Sequence, residues 1–243
     1  MKKINLAIRG GGVKVPAIGV MKAFEENGIE ISSYSGTSIG AVLATLGALE
    51  TPADEILDLV KKFVTEYSNA NRLKGGSGSY IIEKTVNEYC GNMKFEELKK
   101  DLYIVANAGG LWYPKVFIFS KKDTPKITLG EACRASSSFP IAYERYKLKV
   151  EDHTYRFWDG GMALNPYVPN EFTILSTFQK SKVNLKSRYK SAWLIPEEQA
   201  DFLIKPYIGG KVGSFGTPED IEMTATLGYY ETKKRMEELI RTL

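Results

Sequence analysis

The chain has 243 residues, 43% of them hydrophobic and 26% charged, with a net charge of +4. That length suits one large domain with a proper core. The balance excludes a disordered or fibrous chain, and the small basic excess, scattered without a basic block, gives no ground for a nucleic-acid partner.

Residues 3–8 (KINLAI) form a short apolar run ending on Gly10, Gly11 and Gly12, the pattern of a buried parallel strand feeding a tight loop. Helical spacing follows at Ile18, Met21, Lys22, Phe24 and Glu25 until an Asn-Gly stop. A second unit repeats the scheme: a strand over 29–34, a turn over 36–40, and an alanine- and leucine-rich helix over 41–49. Two such units in series predict a parallel α/β sheet. Residues 52–67 read as an amphipathic helix, 69–80 as a glycine- and serine-rich loop, and 80–89 as a further helix. LYIVANA and PKVFIFS read as strands separated by GGLWY. KLKVEDHTYRFWDGG reads as a hairpin whose second strand delivers Asp159 to a glycine turn, and 218–242 as the last helix.

The opening apolar stretch is too short for a secretory leader, and the longest nearly apolar run, 39–49, is too short to span a bilayer. Cys90 and Cys133 are too few for a disulfide framework and too isolated for a zinc site, and both read as buried small hydrophobes in a reducing compartment. A cytoplasmic protein with at most peripheral contact with an anionic membrane is expected. For such contact the segments at 202–215 and 111–119 have the composition, although both read better as core strand or loop.

Gly36, Thr37, Ser38, Ile39 and Gly40 spell Gly-x-Ser-x-Gly, a string expected by chance in about one chain in ten of this length. Its context strengthens it: a strand before and a helix after place the serine on a sharp turn with its hydroxyl exposed. The competing reading is a glycine-rich connection whose serine caps the helix. The loop Gly10–Gly11–Gly12–Val13–Lys14 offers consecutive N–H groups at a helix N-terminus, suited to an anion. It lacks a nucleotide P-loop ending and a correctly spaced dinucleotide fingerprint, so an oxyanion hole is the better reading.

The proton acceptor for Ser38 is less obvious. His153, the only histidine, stands before the best acid and at a predicted hairpin tip. Asp159 is followed by Gly160 and Gly161, which suits a partly desolvated carboxylate base and equally an ordinary Asp-Gly turn. No acids cluster with His or Cys at ligand spacing, so neither metal nor cofactor is expected.

RGGGVK, GTSIG, ASSSFP and WDGGMALNP occur in the order and approximate spacing of the patatin-like phospholipases, and KFEELKKDLYIVANA resembles that family's middle region. The resemblance covers roughly residues 4–170. It implies one three-layer α/β/α domain over 1–243, with a mainly parallel sheet and helices on both faces. Residues 171–243 would complete it, matching nothing assignable. It further implies a Ser-Asp dyad without histidine, in which Ser38 is the nucleophile and Asp159 the general base that also activates the hydrolytic water. Gly10, Gly11, Gly12 and the backbone of Val13 would form the oxyanion hole, with Lys14 at the family's basic position, and the substrate would be a phospholipid or related acyl ester.

Two departures stand out: Val15 and Pro16 follow Lys14 where the family continues with glycine, and Arg9 replaces a smaller residue. They motivate a non-enzyme alternative, a membrane- or protein-binding module on the same fold. Acyl transfer is the second alternative, but the related transacylases rely on a downstream histidine motif that is missing here.

Overall fold

The computed structural model describes residues 2–73, 78–140, 142–179, 196–209, 212 and 216–243. Strand β1 (Ile4–Ile8) is wholly buried and leads through the glycine loop into α1 (Pro16–Glu26). Strand β2 (Ser33–Thr37) leads through Ser38 alone into α2 (Ile39–Ala48). Then come α3 (Ala53–Leu73), α4 (Gly78–Cys90), β3 (Asp101–Asn107), β4 (Val116–Phe119), α5 (Leu129–Ser136), β5 (Tyr146–Val150) and β6 (His153–Asp159). The chain closes with β7 (Phe172–Ser176), β8 (Phe202–Ile204), α6 (Pro218–Lys234) and α7 (Met236–Thr242). This is the expected α/β sheet, mixed but mainly parallel, with helical layers on both sides.

The strand over 29–34 in fact starts at Ser33, because register with β1 pairs Asn5 with Ser33 and Ile8 with Gly36. Gly36 thereby belongs to the strand, and the turn shrinks to one residue. The loop over 69–80 is also shorter than expected: α3 continues to Leu73 and α4 begins at Gly78, with 74–77 outside the described residues. The last helix breaks at Arg235, whose guanidinium bonds the Leu203 carbonyl and lies 4.2 Å from the Phe202 ring centre. Helix α5 and strand β7 carry no expectation above, and β8 opens the segment 202–215 that reads as core strand or loop. Cys133 is buried as expected, its thiol pushed up to about 12 by desolvation, whereas Cys90 is only half-buried.

The centre of the sheet is parallel, with β2 and β7 flanking β1, and β3 on the far side of β2. At Ile104 and Val105, β3 pairs with β2 on one edge and antiparallel β4 on the other. At Ala106 and Asn107 it still pairs with β4, but the opposite edge now carries Asp159 and Trp158 of β6. Strand β6 therefore enters on the edge that β2 has just left: Thr37 pairs with Val105, and the next residue of β3 pairs with Asp159. One sheet edge thus brings Ser38 and Asp159 together although 120 residues separate them. Rings of Phe117, Phe119 and Phe157, with centroids 4.9–5.3 Å apart, fix the end of β6 two residues before Asp159.

The two faces of β2 differ. Tyr34 packs against α2, its ring 2.4 Å from where a Cβ on Gly47 would lie. On the other face Ser33, Ser35 and Thr37 form a buried polar row. Ser35 and Thr37 donate to the carbonyls of Tyr167 and Leu164 at 2.6 and 3.2 Å, and Ser33 donates to Glu171 at 2.7 Å. Buried hydroxyls require such partners. Their partners belong to the chain that follows Asp159, so this row fastens the Asp159 loop beneath the sheet.

Candidate active site

Ser38 has φ 57° and ψ −128°, a conformation that a non-glycine residue holds only when its surroundings impose it. The surroundings are backbone contacts: a Cβ on Gly36 would lie 2.1 Å from the Gly40 carbonyl oxygen, and one on Gly40 2.3 Å from that of Ile8. The Ser38 N–H donates to Ser136 Oγ at 2.8 Å, and Ser136 Oγ donates to the Val105 carbonyl at 2.5 Å. Ser136 lies in the ASSSFP motif and ties the elbow to β3. Its neighbour Ser138 supplies the carbonyl that accepts the Asp159 N–H at 2.9 Å.

Asp159 is buried, with Oδ1 accepting from Gly161 N–H at 2.8 Å. Desolvation pushes its carboxyl up to about 6, opposed by interactions with the Ser38 hydroxyl and the Gly161 N–H. A carboxylate raised in this way is a stronger base than an exposed one, and it remains ionised at neutral pH. Gly160 must be glycine, since a Cβ there would stand 2.1 Å from the Val105 carbonyl oxygen. His153 begins β6 opposite Val150, exposed and at the far end of the strand from Asp159.

The glycine loop lies against the elbow, where a Cβ on Gly10 would meet the Thr37 oxygen at 2.5 Å and the Ser38 Cβ at 2.8 Å. Its N–H groups do not all face one way. Gly10 N–H donates to Asn165 Oδ1 at 2.7 Å, which removes it from the expected donor set; its part is close approach. Gly12 adopts φ 66°, and among the described residues no partner is found for the N–H groups of Gly11, Gly12 and Val13. Lys14 is fully buried and folds back, its Nζ donating to the Gly11 carbonyl at 3.1 Å. Arg9 stacks 4.1 Å from the Phe178 ring centre and donates to the Phe178 carbonyl; desolvation lowers it to about 10, still charged at neutral pH.

Val15 and Pro16 find their explanation in the C-terminal region. Pro16 opens α1, where its missing N–H costs nothing. The Val15 N–H donates to Thr224 Oγ1 at 3.2 Å, and the same hydroxyl bonds Val13 O. Thr224 belongs to α6, which crosses α1 so closely that a Cβ on Gly19 would lie 1.9 Å from the Ala225 oxygen. The segment without an assignable match therefore clamps the glycine loop. Sequence reasoning missed Ser136, Asn165 and Thr224; the first two lie inside quoted motifs, and Thr224 carries no local signal.

The model of the patatin-like phospholipase family matches residues 6–169, about two thirds of the chain. The chain belongs to this family. Among sequence relatives, the uncharacterized protein R571 of Acanthamoeba polyphaga mimivirus is 30% identical over 183 residues, covering 66% of this chain and 59% of R571. The lysophospholipase NTE1 of Chaetomium globosum is 32% identical over 111 residues, 42% of this chain but 7% of NTE1. The chain thus spans about three fifths of the viral relative and a small part of the fungal one. VipD from Legionella pneumophila shares the patatin-like fold, with a TM-score of 0.59 at 12% identity over 98% of this chain and 67% of VipD. Among the described residues no helix is long and apolar enough to cross a membrane, and no group of three His, Cys, Asp or Glu side chains converges.

Proposed function

We propose that the chain acts as one catalytic unit, a serine hydrolase that cleaves acyl esters of phospholipids or related lipids through an acyl-Ser38 intermediate. The observation that carries this reading is the exchange of β2 for β6 along one edge of β3, which puts a strained, half-buried serine beside a buried carboxylate raised to about 6. As Ser38 Oγ attacks the acyl carbonyl carbon, its proton passes to Asp159, and the carbonyl oxygen becomes an oxyanion facing the N–H groups of Gly11, Gly12 and Val13. Collapse expels the alcohol or lysolipid, which takes the proton from Asp159. A water then gives its proton to Asp159 and attacks the acyl-enzyme; collapse releases the fatty acid, and the departing Ser38 Oγ takes that proton back, restoring the hydroxyl and the carboxylate. Preformed donors of this kind typically contribute about 3–4 kcal/mol each to transition-state stabilisation.

Incubation of lipid mixtures with wild type and Ser38→Ala, with products read by mass spectrometry, tests the reading. Free fatty acid from wild type alone is expected, and hydrolysis surviving in the folded variant overturns it. Acyl transfer appears in the same assay as a new ester in place of free acid. Ser38→Gly supplies a second check, since it too should be inactive but more stable than Ser38→Ala by about 1 kcal/mol, having shed the strain.

A further inference from the structure

Between β3 and β4 the segment 111–119, read above as core strand or loop, instead presents its first residues to solvent: Leu111 is 40%, Trp112 74% and Tyr113 85% exposed. The loop is held by Ala108 N–H to the Lys115 carbonyl at 2.9 Å and Gly110 N–H to the Tyr113 carbonyl at 3.1 Å. Asn107 Oδ1 accepts from both Gly109 and Lys115 N–H at 2.9 Å. Backbone fixed so firmly around three consecutive exposed apolar residues is unusual for a soluble surface. Trp and Tyr are the side chains that settle at the headgroup level of a bilayer.

A second observation comes from the neighbouring β5–β6 hairpin. Leu148, Val150 and Phe157 turn to the core, while Lys147, Lys149 and Arg156 face outward. Lys147 lies directly opposite Arg156, a like-charge pairing that costs stability unless an anion lies over it. Among the described residues neither is in an ion pair. The acids of the hairpin, Glu144, Glu151 and Asp152, stand only before its first strand and at its tip. Arg145, at the base of the basic face, donates to the Gly109 carbonyl at 2.7 Å and so joins it to the aromatic loop.

Both features flank the site. The loop leaves β3 immediately after Ala106 and Asn107, the residues paired with Asp159 and Trp158. Five extended residues from Ala106 to Leu111 reach at most about 17 Å.

We propose that this aromatic loop and basic hairpin face form a membrane-docking surface. It takes a bilayer containing anionic lipid, seating Trp112 and Tyr113 among the headgroups with Lys147, Lys149 and Arg156 over the negative surface. The purpose of the surface rests on the lipid hydrolase reading; its existence does not. Flotation with phosphatidylcholine vesicles, with and without phosphatidylglycerol, tests it alongside hydrolysis of a water-soluble short-chain ester. Wild type should float with the anionic vesicles. Trp112→Ser/Tyr113→Ser should lower binding at least about tenfold, and Lys147→Glu/Lys149→Glu about fivefold per lysine, on anionic vesicles only. Both variants should keep their soluble-ester activity within twofold. The proposal is overturned if wild type ignores vesicles, as a protein-binding surface would, if the variants bind like wild type, or if they lose soluble-ester activity in parallel. Wild type that floats yet leaves every ester intact defeats the hydrolase reading and leaves the docking surface standing.

Discussion

Ser38 and the groups that must act on it are held in opposite ways. The elbow is built by its own neighbours: Gly36 and Gly40 let β2 and α2 approach until only a one-residue turn remains. The glycine loop and the chain after Asp159 are instead tied down by side-chain hydrogen bonds from distant segments: Asn165 to Gly10, Thr224 to Val13 and Val15, and Ser33, Ser35 and Thr37 to Glu171, Tyr167 and Leu164. Close backbone packing thus shapes the elbow, with one long-range bond from Ser38 N–H to Ser136 Oγ, and long-range polar clamps predominate in what surrounds it. Damage to the first should unfold; damage to the second should leave a folded protein that works badly.

The largest effect on catalysis is expected from Asp159→Asn, an isostere that keeps an acceptor for Gly161 but is no base. Loss of the general base of a serine triad lowers kcat by about 10⁶-fold. The same change should stabilise the fold. The Asp159 carboxyl stands at about 6 in the folded protein against its ordinary 3.8, so the folded state binds the proton more tightly. Stability from this group is present at low pH and lost as pH rises through about 6, where folding must bury the charge. At neutral pH the variant should therefore melt higher, by up to about 3 kcal/mol of stability, with the gap closing as pH falls toward 4. Wild-type activity should run the other way, rising with pH and half-maximal near 6. A variant that melts lower at neutral pH contradicts the buried charge.

Gly36→Ala breaks the local half. A methyl group 2.1 Å from the Gly40 oxygen has only backbone to displace, and overpacking of this kind costs about 3 kcal/mol. A lowered melting temperature together with lost activity is expected. Thr224→Val breaks the remote half, keeping the shape while leaving Val15 N–H without its acceptor and removing the hydroxyl proton shared between Val13 O and Ile221 O. A cost of about 1–3 kcal/mol in stability should come with a fall in kcat of about tenfold, since a shift in the donor loop misplaces the oxyanion. Unchanged kcat in a destabilised Thr224→Val protein would separate the loop from the chemistry.

The division explains what could be read in advance. The β1–loop–α1 and β2–elbow–α2 units were legible because their signals, apolar runs, glycines and helical spacing, lie within a dozen residues. Helix α5 had a legible signal as well: Thr128 and Glu131 form a capping box, with the hydroxyl accepting from Glu131 N–H. Strand β2 begins four residues later than expected and ends three later, and only the partners at 164–171 make three buried hydroxyls acceptable in a strand. Thr224 could not be found at all: a threonine in the middle of an amphipathic helix shows nothing of the loop 209 residues earlier that it clamps.

The smallest effect is expected from His153→Ala, and it bears most directly on the dyad. His153 and Asp159 occupy the two ends of β6. Six residues of extended strand, at about 3.3 Å each, separate them by about 20 Å. The imidazole is exposed beside the two-residue turn at Glu151 and Asp152, and the ring it lies nearest is Tyr155, with centroids 6.3 Å apart. No proton leaving Ser38 reaches it without the hairpin coming off the sheet, and that would strip Asp159 from Ala106 as well. Hydrolysis should be unchanged and stability altered by no more than about 0.5 kcal/mol, as for other exposed positions. Loss of activity in a normally melting His153→Ala protein would refute the carboxylate base, and with it the functional meaning of the exchange of β2 for β6 on the edge of β3.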